Sequence, residues 1–321
     1  MKPFISFLIT VILLASCENK QEAMLSATES RKADSLALRV ALIPTWGCMP
    51  MYYALRTGIT DSLGLDVRLL RYNAQLDIDT AVTRRHTDVA FSDIIRAIRL
   101  TDTIRISAFL TAYEPIFMVA QKGKKITKLS HMKEKMIAIC RLCATDYWSE
   151  KMLDSANVNF DDVFRPQIND VKLRGKMLRT GLLEGAMLEE PYASWAFTEG
   201  NKELFHAPDS LCFSVWIMAD SLRKDKRKKE QIRLFAIACQ TAAENISQGL
   251  HSDTLRTILK EEYGLPDSVA DSIQLPPPTI KLCQPRQKDV EEATQWLSEK
   301  GRLPKKFTPE TFIFNPVSNK K

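Results

Sequence analysis

The sequence predicts an α/β fold of two lobes, each a mostly parallel sheet flanked by helices. Three observations predict it. Short runs rich in Val, Ile and Leu alternate with longer helix-period segments from Leu38 onward. The alternation restarts after the turn Lys122-Gly123-Lys124. A late apolar run over residues 212–218 then suits a strand that returns to the first lobe, which makes that lobe discontinuous.

In chain order, residues 38–43 read as a strand that Pro44 ends, because proline cannot donate to a ladder. A helix over 49–57 stops at Gly58, and Gly64 turns the chain into a strand over 64–70. Residues 78–85 are helical, 88–91 form a third strand, and Ser92-Asp93 caps a helix over 94–100. Strands follow at 104–110 and 116–121. In the second cycle a helical stub at 129–133 precedes a strand at 136–140, and Thr145 caps a helix to about 155. A helix covers 171–180 and a strand 182–188, ending at Glu189-Glu190-Pro191. The remainder is chiefly helical, at 229–249, 252–263 and 288–300, broken by the turn Leu275-Pro276-Pro277-Pro278. The expected division is residues 37–119 with 213–321 as one lobe and 120–212 as the other.

The amino terminus reads as an export signal over residues 1–16, with a positive Lys2, an apolar run over 4–14, then Ala15 and Ser16 before Cys17. That run is about half the length a membrane-spanning helix needs, which disfavours a permanent span. Leu14-Ala15-Ser16-Cys17 resembles a bacterial lipobox, and the resemblance implies diacylglycerol on the Cys17 thiol and cleavage just before it. The alternative is an ordinary cleaved signal with an incidental cysteine. Residues 17–36 are polar and small, as in a disordered tether holding a domain near a membrane.

With 45% apolar and 26% charged residues, the rest has the composition of a globular chain. The net charge of +6 is spread along the sequence and gives no argument for nucleic acid. The densest basic run, residues 223–233, reads as a solvated helix face, with an acidic partner or anionic lipid as the alternative. No GxSxG elbow, phosphate-binding glycine loop, HExxH or GxGxxG occurs, so neither an enzyme nor a bound cofactor is expected.

Four segments carry a family resemblance. They are Pro44-Thr45-Trp46-Gly47-Cys48-Met49-Pro50-Met51-Tyr52-Tyr53-Ala54 with Gly64-Leu65-Asp66-Val67, then Asp88-Val89-Ala90-Phe91-Ser92-Asp93, then residues 126–138, then Leu183-Glu184-Gly185-Ala186-Met187-Leu188-Glu189-Glu190-Pro191-Tyr192. In this order they resemble the type II periplasmic solute-binding proteins, in particular the thiamine-precursor and alkanesulfonate binders of ATP-driven importers. The resemblance implies a periplasmic-binding-protein type II fold with a ligand cleft between the lobes, a small-molecule ligand, permease and ATPase partners, and a place in the bacterial cell envelope on the periplasmic side. The chain departs from the pattern in Arg84-Arg85-His86-Thr87, where a glycine is usual, and in Cys140-Arg141-Leu142-Cys143-Ala144-Thr145, where small residues are usual.

Ligands of open α/β sheets sit beyond the carboxyl ends of strands, where helix N-termini offer free N–H groups. Those places are Thr45, Trp46 and Gly47, Ser92 and Asp93, Cys143, Ala144 and Thr145, and Glu190 and Tyr192, which are the expected ligand-binding residues. Trp46, Tyr147 and Tyr192 offer faces for a flat ring, or else pack as core lids. Asp93 either caps its helix or meets an amine of the ligand. Glu190 either accepts from an amino-bearing ligand or faces water, and Arg141 would favour a sulfonate if it entered the cleft. The expected ligand is a thiamine-precursor-like heterocycle or amine in preference to an organosulfonate. Residues 117–120 and 213–215 are the expected hinges.

Cys17 aside, the cysteines are Cys48, Cys140, Cys143, Cys212, Cys239 and Cys283, whose pairing cannot be deduced from spacing. Cys140 and Cys143 have CxxC spacing without a second pair or a nearby histidine pair, so no metal site is expected. The four histidines stand singly and read as structural. Two other classes remain open: a thiol-redox lipoprotein using Cys140 and Cys143, and a sensory or structural lipoprotein with a vestigial cleft.

Overall fold

The computed structural model describes residues 36–274 and 282–317. The export signal, Cys17 and all of the tether except Leu36 lie outside the described residues, as does the turn at 275–278.

The apolar runs become two sheets. The first holds β1 (Leu38–Leu42), β2 (Val67–Arg71), β3 (Val89–Asp93), β4 (Ile106–Thr111) and β9 (Ser214–Ala219), in the order β2-β1-β3-β9-β4. The second holds β5 (Ile116–Ala120), β6 (Ile137–Ala138), β7 (Gly185–Glu189) and β8 (Lys202–His206), in the order β6-β7-β5-β8. Both are mixed. In the first sheet β9 alone runs against its neighbours, and in the second β5 does so. The expectation of mostly parallel sheets therefore holds for strand direction but not for the ladders beside β5 and β9.

The reversed strands are those the chain enters after crossing between sheets, through residues 112–115 and 207–213. Residues 117–120, expected to bend, are hydrogen-bonded on both sides within the second sheet. Val215 likewise lies inside a doubly paired strand. Bending there would break ladders, whereas the links at 112–115 and 207–213 lie outside both ladders.

The helices that position the site start beside strand ends. They are α1 (Met49–Arg56), α2 (Gln75–Thr83), α3 (Ile94–Leu100), α4 (Ala144–Ser155), α5 (Val171–Arg179), α6 (Tyr192–Thr198), α7 (Lys226–Ser247), α8 (Ser252–Glu261) and α9 (Gln287–Glu299). Asp93 caps α3 by accepting from the Arg96 N–H at 3.0 Å, and Asp170 and Asp225 do the same for α5 and α7. Cys143, not Thr145, is the N-cap of α4. Strand β8 and helix α6 carry no alternating or long periodic signal, and the sequence reading lacks both.

All five residues of β3 are buried, which is why Val89, Ala90 and Phe91 read as a continuous apolar run and not an alternating one; the strand extends through Ser92 and Asp93, expected only as a helix cap. An aromatic chain ties the first sheet to α7: Phe91 meets Trp216 with ring centroids 5.5 Å apart, and Trp216 meets Phe235 at 4.9 Å. Phe235 in turn meets Phe109 at 6.0 Å. Each edge-on pair adds roughly 0.5–1.5 kcal/mol beyond the area it buries. The second sheet has an apolar cluster of its own, with Phe117, Val119, Leu178 and Leu188 among its members.

Candidate functional site

A cavity of about 50 Å³ lies where the carboxyl ends of β1, β3 and β7 and the turn after β6 face one another. A single water occupies roughly 10–15 Å³ on this measure, so the space suits a compact solute. Six expected residues line it: Thr45, Ser92, Asp93, Cys143, Ala144 and Thr145.

The other four do not line it. Trp46 donates its N–H to the Glu190 carbonyl at 2.9 Å, while its ring faces a small space beside Met49, Pro50 and Tyr113. The Glu190 carboxylate accepts from the Ser194 N–H and hydroxyl, at 3.1 and 2.7 Å, within the first turn of α6. Burial pushes it up to about 7. The Tyr192 hydroxyl donates to the Tyr263 carbonyl, and the Tyr263 hydroxyl donates to the Thr45 carbonyl at 2.7 Å, so Tyr192 stands behind the site. Tyr147 turns away, donating to Glu292 at 2.6 Å.

Gly47 supports the site from outside. Its N–H donates to Glu114 Oε2 at 3.0 Å, and a Cβ on it would stand 2.8 Å from the Phe91 ring. Gly47→Ala is therefore expected to cost about 1–3 kcal/mol by overpacking, measured by urea unfolding. An unchanged midpoint would show that Phe91 gives way freely.

Sequence reasoning lacked the charged members of the cavity wall. Arg96, one turn into α3, pairs with Asp79 and reaches the Cys140 sulfur at 3.4 Å. Arg174 on α5 is fully buried, paired with Glu189, and donates to the Ile168 carbonyl at 2.8 Å. Glu114 sits in the 112–115 link. Burial raises its carboxyl well above the usual range, with the nearby Thr45 hydroxyl and the Gly47 N–H opposing only in part. Burial likewise pushes Asp93 up to about 6, against the pull of Arg96. The helix register placed Arg96 three residues after Asp93 and Arg174 four after Asp170, and that spacing was the available signal.

Among the described residues Arg174 Nε of the wall has no hydrogen-bond partner, and the Thr45 hydroxyl and Glu114 Oε1 have little beyond each other. A buried donor or acceptor left unmatched costs about 1–3 kcal/mol. On this wall that cost falls on Arg174 Nε. Among the described residues no three His, Cys, Asp or Glu side chains gather as metal ligands, and no helix is long and apolar enough to cross a membrane.

The whole arrangement resembles solved binding proteins. The alkanesulfonate-binding protein SsuA of Xanthomonas axonopodis pv. citri, bound to MOPS, is similar over 87% of this chain and 98% of its own, with a TM-score of 0.72 and 10% identity. The fold is that of the periplasmic binding proteins. The aliphatic sulphonate binding protein SsuA of Escherichia coli shares it over 89% of this chain and 94% of its own, with a TM-score of 0.71 and 15% identity. The nitrate-binding protein NrtA of Synechocystis PCC 6803 shares it over 85% and 84%, with a TM-score of 0.71 and 12% identity. Residues 47–180 match the family model described as NMT1/THI5 like. No curated protein matches the chain in sequence. Within this binding-protein fold, the cavity occupies the position between the two sheets where strand ends and helix starts converge.

Proposed function

We propose that the protein is the solute-binding component of an ATP-driven importer, capturing a small amino-bearing or cationic solute in the cavity between its sheets without covalent chemistry. The observation that carries this is a cavity at the strand ends whose wall holds a buried Arg174 Nε with no hydrogen-bond partner among the described residues beside the Thr45–Glu114 pair. The choice of an amine rests on charge. Arg96 and Arg174 are already paired with Asp79 and Glu189, whereas Asp93 and Glu114 have no ion-pair partner among the described residues, and a bound cation would favour their ionised forms against the burial that raises them. An ammonium or amino group would meet Glu114 Oε1, and an acceptor on the same solute would meet Arg174 Nε. The likeness in fold to sulfonate and nitrate binders supports the role of importer subunit; the excess of acid over free base favours an amine over their anions.

In this reading Cys17 bears the lipid, residues 17–36 tether the protein on the periplasmic side of the envelope, and permease and ATPase subunits are its partners. Ligand contact with both sheets stabilises a closed form that the permease reads, with movement at the 112–115 and 207–213 links. Isothermal calorimetry with amino-substituted heterocycles, simple amines and organosulfonates tests it. Heat from an amino-bearing member and none from sulfonates is expected, and binding should raise the unfolding free energy by about 2.7 kcal/mol at a hundredfold excess over Kd. Silence across all three classes would refute the cavity as a solute site.

A further inference from the structure

Cys140 and Cys143 stand apart from the protein's other thiols. Cys48, Cys212 and Cys239 are buried in the core, and desolvation raises all three. Cys140 has polar company: its sulfur lies 3.4 Å from Arg96 Nη1 and 3.2 Å from Asn169 Oδ1. The turn that joins the pair is tightly held. Leu142 takes a left-handed conformation at φ 51°, its N–H donates to Asp146 Oδ2 at 2.8 Å, and the Cys143 thiol lies 2.8 Å from the Cys140 carbonyl oxygen. A non-glycine residue in that region is uncommon, and here it folds Cys143 back over Cys140. Both sulfurs belong to residues that line the cavity.

We propose that Cys140 and Cys143 form a thiol–disulfide exchange site that takes small-molecule disulfides. The Cys140 thiolate attacks one sulfur of the incoming disulfide. The disulfide's S–S bond breaks, a mixed disulfide forms on Cys140, and the departing thiolate takes up a proton. Cys143 then gives up its proton and attacks the Cys140 sulfur, and the second thiolate leaves. In sum, two protein thiols are oxidised to one disulfide and the incoming disulfide is reduced to two thiols. The hydrogen bond from Cys143 favours the attacking thiolate, and with Arg96 and Arg174 it holds Cys140 below the ordinary thiol range against the opposing effect of burial. Burial, together with the neighbouring Cys140, raises Cys143 against the weaker pull of Arg96, and that suits the second step. Oxidation removes the sulfur charge that faces Arg96, and with it a contact between α3 and the turn after β6. The proposal stands whichever solute the cavity takes.

The test equilibrates the folded full-length chain in glutathione buffers of graded oxidation, quenches with acid, alkylates, and maps thiols by mass spectrometry. A Cys140–Cys143 disulfide should appear, lighter by two hydrogens, while Cys48, Cys212 and Cys239 stay reduced. Cys143→Ser should stop with one glutathione on Cys140, and Cys140→Ser should leave Cys143 unmodified. If both thiols of the folded chain stay reduced in the most oxidised buffer, while the urea-unfolded chain does form the disulfide, the proposal is wrong. Glutathione on Cys143 before Cys140 would also overturn it.

Discussion

Arg174→Leu is expected to destabilise the protein by about 3–5 kcal/mol, the largest effect of any single change in the cavity wall. Arg174 is fully buried and pairs with Glu189, a side chain only 16% exposed. Taking away the guanidinium leaves that carboxylate in a low-dielectric place with no counter-charge, and also strips the Ile168 carbonyl of its donor at 2.8 Å. The cost comes from the stranded partner, so Arg174→Leu combined with Glu189→Leu should recover most of it. Urea unfolding followed by tryptophan fluorescence measures both. A single variant within 1 kcal/mol of the parent, or a double variant no better than the single, would mean the pair is open to water and does not wall the cavity.

The same pair shows where sequence reading stops. Residues 38–42, 89–93 and 185–189 were legible as strands because each lies inside a sheet covered on both faces and is almost wholly apolar until its last residues. The strand ends were read as candidate site positions from a rule of open α/β sheets, that the crevice lies where strands give way to helix starts. Thr45, Ser92, Asp93, Cys143, Ala144 and Thr145 reach the cavity accordingly. Arg96, Arg174 and Glu114 were not legible, because a charged side chain in a helix or link is normally solvated and only the tertiary fold brings Asp79 and Cys140 to Arg96, Glu189 and the Ile168 carbonyl to Arg174, and Gly47 to Glu114. Trp46 and Tyr192 show the converse. Their position beside strand ends was right, but large amphipathic rings at such places also close the core, and here both face inward away from the cavity.

Acidity supplies the sharpest test of what the cavity prefers, since Asp93 is raised to about 6. Arg96 and the Ala144 N–H lower it, Asp79 raises it, and burial outweighs them all. Below that pH the free protein carries a proton on Asp93, and a cationic solute must displace it. Affinity for such a solute is therefore expected to fall as pH drops through about 6, by up to tenfold per unit from Asp93 alone, and Asp93→Asn should bind more weakly and lose that step while keeping the dependence that Glu114, raised well above the usual range, contributes. Stability follows the opposite course. The folded state binds more protons than the unfolded state between the ordinary aspartate range and about 6, so Asp93 weakens the fold by up to ~1.4 kcal/mol per unit as pH rises through that interval, and Asp93→Asn removes this slope. Glu190 titrates nearby, at about 7, but both of its oxygens are held by Ser194 outside the cavity, so its share persists in the variant and is separable. Calorimetry from pH 5 to 8 with an amino-bearing solute, parent against variant, reads both effects. Affinity that strengthens on acidification would show the protonated wall welcoming an anion, and the preference argued from Asp93 and Glu114 would have to be reversed.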